Sequence, residues 1–336
     1  MRVFIIKRLL LGVLVLFGVI FITFVIVRII PSDPATQWVG PRATQEQLAA
    51  ARIELGLNDP FFVQFGHFVA ELAQGNMGKS LRSHQSVFKE LKTLLPATIE
   101  LVLLSTILGV VIGLYLGVVS AKRKDQWIDH VCRFFSVATV SIPAFWIGLL
   151  LQFVFYGALD LLPLGERLSM NVKLFEQIPD ITGMLLFDSL VTGNFVVFWD
   201  ALKHMILPCF VMALFPIGLV GRMTRSALLE ILSEDYIKAA RSYGLSERII
   251  MWSYALKNSL GPTATVITLA IGYTLVNTFL IESIFSWPGI GNYIATAVVA
   301  LDYPAIMGVT IFSSCSYVVL NLAADLVIAL DPRVRI

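Results

Sequence analysis

The sequence predicts an all-α polytopic membrane protein with about six transmembrane helices. Of its 336 residues, 57% are hydrophobic and 14% are charged, and the mean hydropathy is +0.82. Soluble globular domains carry about 25% charged residues, so this chain has too little charge to cover a water-facing surface. Its apolar residues also gather in runs of roughly 20, the length that a helix needs to cross a bilayer. Lipid must therefore be the solvent for much of the chain.

Six apolar runs are long enough to be transmembrane helices. They are Leu9–Ile30, Leu101–Ala121, Phe134–Leu159, Met205–Gly221, Asn258–Ile281 and Tyr303–Leu330. The stretch from Ile181 to Trp199 is also apolar, but it contains Asp188, Gly183 and Gly193. We expect an interfacial or re-entrant, scoop-like segment there rather than a seventh span.

The first apolar run is predicted to be an uncleaved membrane helix. Arg2, Lys7 and Arg8 precede it, as basic residues precede the core of a secretory signal. The uncharged stretch from Leu9 to Val27 exceeds the about 7–15 apolar residues of such a core, and no A-x-A cleavage site follows. The run therefore favours a retained span.

The distribution of basic residues predicts the orientation. If the N-terminus is inside, 15 of the 25 lysines and arginines fall on the inner side, and the outer loops hold most of the acidic residues. Cytoplasmic loops of membrane proteins carry such an excess of Lys and Arg. With an even number of spans, both termini are expected in the cytoplasm.

Two segments outside the spans are long enough to fold. The outer segment 31–94 should be a helical cap, in which Thr44 and Gln47 form a capping box and Gly56 ends a helix. The inner segment 222–257 is basic and compatible with a helix–turn–helix, with Ser233 as an N-cap and Gly244 as a break. The remaining divisions are an N-terminal membrane helix, 1–30, and a five-helix core, 95–336.

Several classes of function are disfavoured by what the sequence lacks. The net charge is only +2, and no basic, aromatic-rich stripe suggests nucleic acid as a partner. The three cysteines show no CxxC or Cys/His spacing, and the four histidines are scattered, so we expect no metal site. No G-x-S-x-G or H-E-x-x-H pattern indicates an enzyme.

Polar residues at membrane depth are the candidates for a transport pathway or gate. These are Glu100, Asn277, Glu282 and Asp325. For Glu100 and Glu282, the alternative is an interfacial carboxylate that points outward to the membrane surface. For Asp325, a structural hydrogen-bonding role is favoured over transport chemistry.

Small residues and prolines inside the apolar runs predict close packing and broken helices. Gly109, Gly113 and Gly117 recur every four residues and share one helix face, which allows another helix to approach its backbone. Pro143, together with prolines in the fourth and fifth runs, predicts kinks. Broken helices are more typical of a transporter than of an inert anchor.

The inner segment carries the most specific motif. Its sequence from Glu234 to Ser246, continued by Ala255–Pro262, resembles the "EAA" loop of ABC importer permeases. Further matches follow in order along the chain: Pro31-x-Asp33-Pro34, Leu55-Gly56-Leu57, Gly75-x-x-Gly78-x-Ser80, Leu95-Pro96-Ala97-Thr98-x-Glu100-Leu101, Ile142-Pro143-x-Phe145-Trp146, His204-x-Ile206-Leu207-Pro208, Arg222-Met223-Thr224-Arg225-Ser226, Phe285-Ser286-Trp287-Pro288-Gly289 and Asp331-Pro332-Arg333-Val334-Arg335. Together they resemble the first-permease type of the dipeptide/oligopeptide/nickel family. Ser32 and Lys238 depart from the usual pattern.

This resemblance implies a type I ABC importer permease fold in a bacterial cytoplasmic (inner) membrane. It implies a non-catalytic chain that binds no cofactor and forms the pathway with a second homologous permease. Two ABC ATPase subunits would bind ATP-Mg, and an extracytoplasmic binding protein would deliver peptides or, alternatively, nickel, metal chelates or glutathione-like solutes. The implied ATPase-coupling residues are Asp235, Tyr236, Ala239, Ala240, Arg241, Gly244 and Leu245.

Overall fold

Helices make up nearly all of the regular structure, and the predicted all-α membrane fold is confirmed. A computed structural model describes residues 2–29, 33–40 and 42–329. In chain order, the helices are α1 (Arg2–Ile29), α2 (Pro34–Val39), α3 (Gln45–Glu54), α4 (Phe61–Ala73), α5 (Val87–Lys122), α6 (Trp127–Ser141), α7 (Ala144–Leu151), α8 (Met170–Phe175), α9 (Leu185–Thr192), α10 (Phe195–Leu232), α11 (Asp235–Ser242), α12 (Glu247–Ile249), α13 (Leu256–Ile284), α14 (Ile290–Val299) and α15 (Tyr303–Ala329). Two π-helical segments, Gln152–Ala158 and Ile250–Ala255, follow α7 and α12.

The membrane spans agree with the expected number. In the described part of the chain, five helical stretches are long and apolar enough to cross a membrane. They are α1, α5, α10, α13 with the short helical segments that precede it, and α15. The pair formed by α6 and α7 with its π-helical continuation makes a sixth if it is one broken span.

The described residues form two compact units. The first comprises the chain up to Pro96 together with Pro288–Val319, and the second comprises Ala97–Trp287 with the remainder of α15. The first unit holds the short helices after α1, and the second holds most of the membrane helices.

In the first unit, α2 and α3 begin at side-chain caps. Thr44 and Gln47 form the predicted capping box, with both reciprocal hydrogen bonds present. Asp33 caps α2 by accepting the Ala35 N–H, and Arg52 of α3 donates to the same carboxylate at 2.8 Å. The hydrogen bond from Arg52 holds the pKa of Asp33 below its usual value. The helix predicted after Thr44 is therefore present, from Gln45 to Glu54.

Aromatic side chains join α1 to α4 within the first unit. The Phe24 ring is 2% exposed and lies 5.3 Å from the rings of both Phe61 and Phe65. Burial of such rings, with edge-to-face geometry, stabilises the contact. By contrast, Ile53 and Phe62 are 72% and 77% exposed, since they lie on outer faces of α3 and α4.

In the second unit, the predicted close helix crossing is confirmed between α5 and α10. A Cβ added at Gly109 would lie 2.6 Å from Pro216 Cβ, and one at Gly117 would lie 2.6 Å from Thr224 Cβ. At Gly113 the added atom would meet the Ile217 carbonyl oxygen at 3.1 Å. The three glycines are thus required along the whole contact, since side chains would push the helices apart.

The predicted third span, Phe134–Leu159, is not one straight helix. It begins earlier, at Trp127, and α6 and α7 are bent by 100° where they meet. Ile142 is extended and Pro143 is the N-cap of α7. Proline disfavours helical backbone at the residue before it, which explains the position of the break. By contrast, α10 continues as one helix through Pro208 and Pro216.

The apolar stretch 181–199 is not a span of its own. It contains the eight-residue helix α9, which ends at Gly193 with a positive φ of 72°, and the first turns of α10. The Asp188 carboxylate is buried and accepts hydrogen bonds from the N–H groups of residues 181, 182 and 183. Burial alone would raise the pKa of Asp188, but these bonds together with the Thr182 hydroxyl lower it.

Candidate coupling loop and pathway cavity

The inner segment folds as a short helix after α10, but its start differs from the prediction. Ser233 is the C-cap of α10, and its hydroxyl donates to the Glu230 carbonyl oxygen at 2.6 Å. Glu234 takes the N-cap position of α11. The prediction of Ser233 as an N-cap was wrong because α10 extends beyond the expected Met205–Gly221 at both ends. The serine hydroxyl therefore bonds to the last turn of α10 instead of to the first turn of α11.

One face of α11 is anchored to its own chain. Ile237 is fully buried and Ala240 is 7% exposed, and both pack with Ile250 and the half-buried Leu245. Ala240 was expected on the docking surface with its neighbour Ala239. Instead, it lies one turn after Ile237 on the inner face, because residues three or four apart share a helix face.

A neighbouring face of α11, which continues to the C-cap residue Tyr243, is exposed. It presents Tyr236, Ala239 and Tyr243, and the two tyrosines are 42% and 86% exposed. A small residue between two aromatic rings forms a shallow, partly apolar surface. We call these three residues the α11 outer face.

Four charged residues of the loop form two ion pairs at the surface. Asp235 accepts from Lys238 Nζ at 2.8 Å, and Glu247 accepts from Arg241 Nε at 2.8 Å. Exposed pairs of this kind contribute little to stability, so they leave the groups able to exchange partners.

Gly244 ends α11 in a left-handed conformation. Its φ is +78°, and no atom lies within 4 Å of where a Cβ would be. The predicted break is therefore required by backbone geometry rather than by close packing. This turn leads the chain towards α12 and α13.

Among the pathway candidates, Asn277 of α13 lines a cavity of about 260 Å³ at the break between α6 and α7. The lining combines the α6–α7 corner, residues 139–145, with parts of α10 and α13. Asn277 Nδ2 donates to the Tyr273 carbonyl oxygen at 2.9 Å. The rings of Tyr273 and Phe215 stack at the same cavity, with centroids 3.7 Å apart.

Glu100 lies in a buried ion pair rather than pointing outward. It is 4% exposed, and its carboxylate accepts from Arg167 Nη2 at 2.5 Å and from the Leu186 N–H at 2.7 Å. The Arg167 guanidinium also lies over the Trp287 ring, 5.6 Å from its centroid. Sequence reasoning missed Arg167, because a lone arginine in a loop gives no signal of a partner 67 positions away.

Glu282 is also fully buried, so neither carboxylate shows the alternative outward arrangement. The backbone carbonyl oxygen of Glu282, near the end of α13, accepts from the backbone N–H of Trp287 at 2.8 Å. Asp325 lies in α15, and its side chain falls outside the described residues, as does the terminal motif from Asp331. Asn277 thus lines a cavity, whereas Glu100 and Glu282 belong to buried surroundings of Trp287.

These features define an integral membrane transport protein: several apolar spans, one of them broken at a cavity, and an exposed helix joining two long spans. Comparison with known proteins makes the class specific. Residues 109–336 match the family described as "Binding-protein-dependent transport system inner membrane component". Residues 1–102 match the N-terminal part of membrane components of such systems.

Similar proteins cover nearly the whole chain. The chain is 43% identical to the "Probable D,D-dipeptide transport system permease protein DdpB" of Escherichia coli (strain K12), over 96% of this chain and 94% of that protein. It is 37% identical to the dipeptide transport system permease protein DppB of Alkalihalophilus pseudofirmus, over 98% of each. It is 34% identical to the oligopeptide transport system permease protein AppB of Bacillus subtilis, over 100% of each. The chain therefore belongs to the inner membrane components of binding-protein-dependent transport systems.

Proposed function

We propose that this chain is the permease subunit of an ABC importer and that, with a second homologous permease, it forms the pathway for di- or oligopeptides. An extracytoplasmic binding protein delivers the substrate. Two partner ATPase subunits bind ATP-Mg and hydrolyse it, and this chain binds no cofactor. The names of the relatives above favour peptides over nickel, metal chelates or glutathione-like solutes.

The observation that carries the proposal is the α11 outer face. This helix is fixed to its own chain by Ile237 and Ala240, and it still exposes Tyr236, Ala239 and Tyr243. Aromatic residues exposed on a fixed element are typical of a surface that another protein covers. The excess of basic residues on this side favours the cytoplasm, where ATPase subunits would dock.

The cavity at the α6–α7 corner supports the second half of the proposal. Thr139, Ser141 and Asn277 bring hydrogen-bonding side chains to its wall, and Tyr273 and Phe215 bring aromatic surface. Peptides need both kinds of contact, since their backbones are polar and their side chains vary. A second permease would complete the enclosure.

Deletion and complementation test the proposed substrate. Cells that lack this chain should lose the uptake of labelled di- and tripeptides and recover it when the chain is expressed, while nickel uptake stays unchanged. Loss of nickel uptake with normal peptide uptake would overturn the assignment in favour of the alternative. Expression of the Ala239→Trp variant, which changes only an exposed residue of α11, provides a control for insertion without coupling.

A further inference from the structure

A buried carboxylate joins two helices at the end of α10 that leads to α11. Asp129, in the first turn of α6, is fully buried. Arg225 of α10 donates to both of its oxygens, from Nε at 2.8 Å and from Nη2 at 2.7 Å. Such two-point contacts fix the relative orientation of the two groups as well as their distance.

Other groups complete the coordination of the same carboxylate. The Ser120 hydroxyl, near the end of α5, donates to one oxygen, and the Asp125 N–H donates to the other at 3.0 Å. Arg133 lies farther away, at 3.8 Å, and its side chain is 45% exposed. The carboxylate therefore connects α5, the following turn, α6 and α10 through one point.

Stability alone is a weak reason to place an ion pair here. Taking both charges out of water costs free energy that the contact must offset, and apolar pairs of similar volume are often equally stable. What apolar packing lacks is a fixed direction and register. The location of the pair suggests that it fixes the position of α6 relative to α10.

Both helices joined by the pair lead from the loop region to the cavity. Arg225 lies about two turns before the end of α10, beyond which α11 begins. At the other end, α6 finishes at Ser141, in the cavity wall, and α10 supplies residues 211, 212, 214 and 215 to the same cavity. A displacement of α10 can therefore change the shape of the cavity in two ways: α6 moves together with α10, or α10 moves alone.

We propose that Asp129 and Arg225 are positioning residues that make α6 follow α10, so that a displacement received at α11 reaches the α6–α7 corner of the cavity. The proposal rests on the function proposed above. Without the pair, α10 still moves when partner ATPases close, but the α6–α7 corner no longer moves with it. ATP is then hydrolysed with little transport.

The test uses the complete transport assembly in liposomes, with labelled L-alanyl-L-alanine and mixed tripeptides as probes. ATP hydrolysis and uptake are measured in the same preparation. For Asp129→Asn and Arg225→Gln, we expect basal ATP hydrolysis near wild type and about a tenfold fall in the number of peptides taken up per ATP hydrolysed. A tenfold change is within the range by which one substitution can alter the coupling between two distant sites. Arg133→Gln is the matched control, and its ratio should stay near wild type.

Cross-linking separates positioning from folding. The test variant combines Asp129→Cys with Arg225→Cys in a background without Cys132, Cys209 and Cys315. It should take up few peptides per ATP hydrolysed, and a short bifunctional thiol reagent that links the two cysteines should raise this ratio. This comparison is internal, so it decides the question even if the single variants assemble poorly. A wild-type ratio in the single variants would overturn the proposal, and so would a reagent that blocks uptake in the double variant. If peptide did not stimulate ATP hydrolysis by the wild-type assembly, the proposed function itself would be overturned.

Discussion

Asp188 illustrates how one side chain organises a loop that has little regular structure. Its carboxylate accepts from three successive backbone N–H groups, and the Thr182 hydroxyl adds a fourth donor at 2.7 Å. An ionised carboxylate can accept all of these bonds, whereas a protonated or amidated one presents a donor to some of them. The turn at 181–183 thus depends on the charge of one residue.

Asp188→Asn should therefore release this turn without disturbing the spans. We expect faster hydrogen exchange at residues 181–183 and a loss of roughly 1–3 kcal/mol of local stability, the usual cost of unsatisfied buried groups. In the wild type, the folded pKa is lowered, so the stabilisation is present above the ordinary carboxyl pKa and is lost as the pH falls through the lowered value. Exchange measured by mass spectrometry at several pH values checks both statements. Unchanged protection in the variant would contradict them.

At the scale of the element, α11 has two faces with different tasks. Ala239 and Ala240 are adjacent and equal in size, yet one is exposed and the other is 7% exposed against Ile237 and Ile250. Two substitutions of equal volume on one helix can therefore separate docking from folding.

Ala239→Trp should leave the chain inserted and as stable as wild type but reduce uptake and stimulated ATP hydrolysis together, because the added indole ring would prevent an ATPase subunit from docking on the α11 outer face. Ala240→Trp should lower the amount of folded protein, since overpacking a buried site costs about 1–3 kcal/mol. Thermal stability in detergent and uptake in vesicles at matched assembly levels give the two measurements. If Ala239→Trp transports normally, the α11 outer face is not a docking surface.

Local signals were enough to predict several elements. The capping box of Thr44, the helix end at Gly244 and the glycine row of α5 depend on residues within one or two helical turns. The two buried ion pairs depend on partners 67 and 96 positions apart, so no local pattern reveals them. The ends of α10 were also missed, since polar residues such as Arg225 suggest a loop although buried partners keep them helical.

For the whole molecule, the proposed orientation can be tested directly with impermeant thiol reagents. In a background without the native cysteines, Ala43→Cys and Met170→Cys should be labelled from outside intact cells. Tyr243→Cys should not be labelled until the membrane is opened, although the tyrosine is 86% exposed. The reason is the excess of basic residues on the side of Tyr243. Labelling of Tyr243→Cys in intact cells would reverse the orientation and separate α11 from cytoplasmic ATPases.

The length of α10 has a mechanical consequence. At about 1.5 Å per residue, its 38 residues correspond to about 57 Å of helix, nearly twice the roughly 30 Å thickness of the hydrocarbon core. A rod of that length that tilts by about 10° around its middle moves each end by about 5 Å, roughly one helical turn. A small change in the tilt of this helix would therefore displace its ends by about the length of a side chain. Since α5 lies against α10 along the glycine row, the same tilt would also displace α5.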